Sequence, residues 1–158
     1  MVEVRTEPDE ASRVIAASPH KVYRALLNPE GIAMWGTPHG TEGEFYAFEP
    51  REGGTFLMAL IYDAPDPKRD GQPSAHSQVI EGRFLRLVPN RQVVESLSFA
   101  SGDSSLKGEM TVTTTIAPEG DGTLVTMSVE NAPEAVRAWK EREGVRSALQ
   151  KLADFVGR

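Results

Sequence analysis

Few side chains in this 158-residue chain could do chemistry, and most of them fail on spacing. The three histidines, His20, His39 and His76, are far apart, with no thiol beside them and no HExxH spacing. A metal centre would have to join His39 and His76 to distant carboxylates, so no metal site is expected. The chain has no cysteine, which excludes disulfides, thiolate ligands and a cysteine nucleophile. "DAPDPKRDG" (63–71) evokes a calcium loop but lacks the closing bidentate glutamate. The glycines at 53–54 and 120/122 do not form GxGxxG between a strand and a helix, and no serine stands in a nucleophile elbow. No cofactor is expected.

Two charged residues remain. Glu95 shares a strand face with Val93, Leu97 and Phe99. Arg142 falls in phase with Trp139, Val145 and Leu149 on a helical stripe. A buried carboxylate has a raised pKa unless paired, and a nearby guanidinium would keep it ionised. An inward Glu95–Arg142 pair could orient a polar ligand group or polarise a carbonyl. The simpler placement, with both side chains reaching solvent at an element's end, is preferred because charged groups are seldom fully buried.

The elements that must position these residues are legible from pattern. Ser18-Pro19 and Asn28-Pro29 each put a proline directly after a capping residue. The cap side chain accepts orphan backbone N–H groups, and proline suits the first helical position. Two short tandem helices follow, neither stable alone. "SRVIAA" (12–17) has the β-branched character of a first strand, while residues 1–9 read as a frayed or edge segment. Between about 42 and 131 the chain becomes short apolar runs broken by turns. Strands are predicted at 43–49, 54–62, 76–88, 92–100, 108–117 and 123–131, with Asp121-Gly122 as a two-residue hairpin signal. The polar, proline-rich segment 63–74 reads as a projecting hairpin loop. From Ala132 the pattern turns helical to Val156, which predicts one helix close to about 35 Å long.

Size and charge narrow the classes. At this length one domain spanning 1–158 can bury about 68–70% of its unfolded surface. Seventeen basic against 23 acidic residues give a net charge of −6 without a basic stripe, so nucleic acid is not an expected partner. The first residues, "MVEVRTEPDEAS", have no apolar core of a secretory signal, and no run is long enough to span a membrane. A cytoplasmic location is expected, and a homodimer is left open.

The element order resembles the helix-grip fold of the START and birch-pollen-allergen (SRPBCC) superfamily, within it the branch related to the activator of the heat-shock-protein-90 ATPase. "ASPHKVYRALLNPEGIAMW" (17–35), "FEPREGGTF" (48–56), "GRFLRLVPNRQVVES" (82–96), "GTLVTMSV" (122–129) and "GVRSALQKLADFV" (144–156) carry the resemblance by order and spacing. Glu49 stands where the family usually has aspartate, and Val145 where it often has tryptophan after the glycine. The resemblance implies an α+β architecture: a curved antiparallel sheet wrapped around a long C-terminal helix, with two short helices after the first strand.

Such a grip implies a cavity between sheet and helix, and pockets for small ligands usually measure about 300–1,000 Å³. Strand parity nominates Phe56, Met58 and Leu60, then Met110, Val112 and Ile116, then Val125, Met127 and Val129 as facing it. Trp35, Glu95, Leu97, Phe99, Trp139, Arg142 and Val145 complete the expected lining. The same residues would also make a filled core. The expected function is binding of a small apolar or amphipathic molecule. Alternatives are a cyclase or hydratase using the same cavity, with Glu95 or Tyr62 as acid or base, and a co-chaperone-like interaction domain.

Overall fold

Both cap–proline pairs behave as their chemistry dictates. In the computed structural model, which describes residues 9–36, 41–62, 77–100, 107–133 and 144–157, helix α1 spans Pro19–Leu26 and α2 spans Pro29–Trp35. Ser18 Oγ accepts from Lys21 N at 3.1 Å. Asn28 Oδ1 accepts from Glu30 N at 3.1 Å and Gly31 N at 3.3 Å. Each helix is thereby closed at the end where backbone donors lack partners.

The strands are β1 (Asp9–Ile15), β2 (Thr41–Phe48), β3 (Thr55–Tyr62), β4 (Ser77–Val88), β5 (Gln92–Phe99), β6 (Glu109–Glu119) and β7 (Gly122–Glu130). They form one curved antiparallel sheet of seven strands in the order β1-β7-β6-β5-β4-β3-β2. The helix-grip fold is therefore present: the last helix, α3 (Gly144–Val156), packs on the sheet with α1 and α2 beside it. The first strand starts earlier than the 12–17 expected, because pairing with β7 begins at Asp9↔Val129. Past its end the Ala17 carbonyl accepts from the buried Thr123 hydroxyl at 2.6 Å.

Two expectations are corrected. The β6–β7 hairpin turns at Gly120-Asp121, not Asp121-Gly122, since Glu119 pairs with Gly122 and Gly120 takes the positive φ of 57°. Gly122 is needed for another reason: a Cβ there would lie 2.5 Å from the Ile15 carbonyl oxygen. The C-terminal helix does not run unbroken from Ala132. Gly144 has φ 60°, outside the right-handed helical region, so α3 begins there and measures about 20 Å. Its first free N–H, of Val145, donates to Asp9 Oδ2 at 3.0 Å.

The core divides along the inner face of the sheet. Toward α1, the residues Val22, Val125, Leu152, Phe84, Val93 and Leu149 are 0–1% exposed. A second apolar cluster of Met58, Leu60 and Ile80 lies toward the other end of the strands.

The concave face around Glu95 as candidate functional site

β5 is the fourth of the seven strands, so its inward residues occupy the middle of the concave face. Glu95 is one of them. It pairs with the inward Phe84 on β4 and with Val112 on β6, and Val112 pairs in turn with Val129 on β7. Directly paired residues of antiparallel strands point to the same side, so this whole row faces the helices. The preferred solvent-facing placement of Glu95 is thus overturned by register: the side chain lies mid-strand and inward, not at an element's end.

What holds Glu95 there begins in a hairpin loop. Glu49 Oε1 accepts from Thr55 N at 3.1 Å and from Thr55 Oγ1 at 2.9 Å, while its other oxygen accepts from Arg51 at 3.1 Å. These donors, the Thr55 N–H first, hold the Glu49 carboxyl below the usual carboxylate range. The pinned loop docks on β4: Gly53 N donates to the Phe84 carbonyl at 2.8 Å, Phe84 N to the Gly54 carbonyl at 2.9 Å, and Leu87 N to Glu52 Oε2 at 3.1 Å. Beside it the strand bulges between Phe84 and Arg86, which keeps Phe84 inward and turns Leu85 out. "FEPREGGTF" therefore acts structurally, fixing the strand against which Glu95 packs.

Phe84 closes one side of the site as part of an aromatic group with Phe45, Phe48 and Phe56, ring centroids 5.1–6.2 Å apart. The Phe56 ring lies so close over Gly82 that a Cβ at that position would sit 2.0 Å from it. Sequence reasoning left Phe45, Phe48, Phe84 and Gly82 out of the site. An isolated glycine inside a strand pattern is a signal of such close approach.

Beyond Phe84 the face loosens. Leu97, Phe99, Val112 and Val129 are only half-buried although they point inward from central strands. Phe56, Met58, Leu60, Met110 and Met127 are buried but keep 5–7% exposure. Glu95 is itself half-buried. Its carboxyl, set among apolar neighbours, is pushed up to about 7 from 4.5 by desolvation. Among the described residues no hydrogen bond or ion pair offsets that loss of solvent.

The remaining expected site residues separate from this group. Trp35 belongs to the core toward α1, its indole N–H donating to the Ala25 carbonyl at 3.3 Å. Val145 is buried at the start of α3 and joins the same core. Trp139 and Arg142 lie outside the described residues, as do His39, His76, the segment 63–74 and the Tyr62 side chain. His20 is exposed, with Nδ1 3.3 Å from Asn90 Oδ1. No described helix is long and apolar enough to cross a membrane.

The family described as "Activator of Hsp90 ATPase homolog 1-like protein" matches residues 16–157. Among solved structures, a Chromobacterium violaceum protein is 29% identical with a TM-score of 0.81, over 96% of this chain and 98% of that one. A Rhodobacter sphaeroides protein is 23% identical with a TM-score of 0.72, covering 96% and 93%. The AHSA1 protein of Silicibacter pomeroyi is 15% identical with a TM-score of 0.71, covering 94% and 96%. No curated protein matches the chain.

Proposed function

Since the chain belongs to the Activator of Hsp90 ATPase homolog 1-like family, we propose that it holds a small apolar or amphipathic molecule on the concave face of the sheet, beneath the C-terminal helix. One observation carries this reading: Leu97, Phe99, Val112 and Val129 point inward from inner strands of the sheet yet remain only half-buried. Inward apolar surface left reachable by solvent is a cost that a ligand removes, at about 25 cal/mol per Å² covered. Met58, Met110 and Met127 border it, and flexible thioether side chains fit varied shapes.

Native mass spectrometry of gently purified protein tests the reading. A defined mass above that of the chain, or saturable uptake of a neutral apolar dye such as Nile red, is the expected outcome. A bare chain that leaves the dye dark would shift the weight to a surface partner.

A hydratase or cyclase on the same face is the second reading, and the Glu95 carboxyl favours it, because a pKa of about 7 suits proton transfer at neutral pH. Binding leads, because an acid or base needs a second polar group to orient substrate or water, and no described side chain bonds to Glu95. An interaction domain would need a broad apolar patch. Among the described residues the exposed large apolar side chains, Val14, Met34, Tyr46, Ile61 and Leu85, are instead spread over β1, α2, β2, β3 and β4.

A further inference from the structure

If the concave face binds a ligand, as proposed above, Glu95 constrains what that ligand carries at its polar end. A carboxylate inside protein is normally paired, because its lost hydration has to be replaced. None of the described elements supplies the partner. On β4, Glu81, Arg83 and Arg86 pair with Ser98, Ser96 and Val94, the residues of β5 that alternate with Glu95 and point outward. Glu109 of β6 and Glu130 of β7 are on the same outer side and exposed. On β1, Asp9 is committed to the Val145 N–H and Arg13 is exposed. On α1, Lys21 and Arg24 are exposed, His20 is bonded to Asn90, and Tyr23 is raised by burial first and then by the charge of Glu52. On α3, Arg146 and Asp154 are exposed and Lys151, half-buried, is engaged elsewhere than at the Glu95 carboxyl, which desolvation alone perturbs.

We propose that Glu95 is a recognition residue for a cation, and that the concave face selects amphipathic molecules with an apolar body and a protonated amine. The amine supplies the counter-charge that no described residue provides, in surroundings where attraction is stronger than in bulk water. The apolar body covers Leu97, Phe99, Val112 and Val129. Anionic amphiphiles are disfavoured twice, by Glu95 locally and by the net charge of −6.

The test compares dodecylamine, dodecanol and dodecanoate, below their micellar concentrations, as displacers of Nile red from the full chain. At pH 8 the amine is expected to displace the dye at the lowest concentration and dodecanoate at the highest. At pH 6 the amine should weaken up to about tenfold, the drop in ionised fraction of a carboxyl titrating near 7, while dodecanol is unchanged. Glu95→Gln keeps the size of the side chain and should erase the amine's advantage, with retained dodecanol displacement reporting an intact fold. Equal displacement by amine and alcohol at pH 8, or an amine preference that survives in Glu95→Gln, overturns the cation assignment and leaves apolar binding standing. Displacement by none of the three, with no dye uptake, overturns both.

Discussion

The two ends of the concave face are built from the same strands and differ in how completely they close. Toward α1, Val22, Val125 and Leu152 are 0% exposed, and helices α1 and α3 interlock with the sheet. Toward the Glu95 end, equally inward positions, Val112, Val129 and Leu97, stay half-buried. The difference is not one of composition, since both ends are aliphatic and aromatic. At the closed end α2 and α3 pack tightly, as Gly31 allows by letting the Phe155 ring approach to where a Cβ would be 2.7 Å from it. One end is thus suited to stability, and the other leaves the apolar surface on which ligand binding is proposed.

Substitutions can break or sharpen this contrast. The largest effect is expected for Leu152→Ala at the closed end, a loss of about 3–5 kcal/mol in urea unfolding, because a fully buried leucine leaves a cavity. A loss below about 1 kcal/mol would mean the closed end is looser than described. Gly82→Ala drives a methyl group into the Phe56 ring and should cost about 2–3 kcal/mol. Its companion Gly82→Ala/Phe56→Leu should recover part of that loss if the ring is the obstacle.

The third prediction concerns pH. Glu95 binds its proton more tightly folded, near pH 7, than at its ordinary value of 4.5, so between those values the native state holds a proton that the unfolded chain has released. Its contribution is fully present below about pH 4.5 and is lost as pH rises through 7, on the order of 2 kcal/mol for a half-buried group. Glu95→Gln should therefore match wild type in melts at pH 4.5 and exceed it at pH 8. Equal melting at both would place the carboxyl in water. The smallest change is expected at the open end: Leu97→Ala should cost about 1 kcal/mol, since part of its surface already meets solvent. It should weaken Nile red uptake more visibly than it weakens the fold, which is the sharpest separation of the two ends.

Much of the architecture was legible because local chemistry dictates it. The cap–proline pairs announced two helices, and short apolar runs broken by turns placed six strands within two residues of where they lie. Parity also put Glu95 on the face of Val93, Leu97 and Phe99; the preference for solvent failed because the face could be read while the depth of its cover could not. The start of α3 was missed because Gly144 interrupts an otherwise periodic apolar stripe, and the group that caps it, Asp9, comes 136 residues earlier in the chain. The hairpin corner slipped by one residue because either glycine of "EGDGT" tolerates positive φ, and only the Ile15 carbonyl, far away in sequence, decides between them. Errors arose where a distant segment sets a local conformation.

Asp9 has a further consequence, for how the molecule is made. It opens β1, which pairs along its length with β7 at the end of the meander, and its carboxylate receives the leading N–H of the last helix. Among the described strands β1 leaves the ribosome before the others, and it has no partner until β7 has followed it. β2 through β7 can join neighbour to neighbour as they emerge, each pairing with the strand just before it. β1 must wait, its loop closed only at the end, and contacts of such long sequence separation slow folding. Of the described strands the one made before the rest is placed last, and in the same step it fastens the start of the helix that the sheet grips.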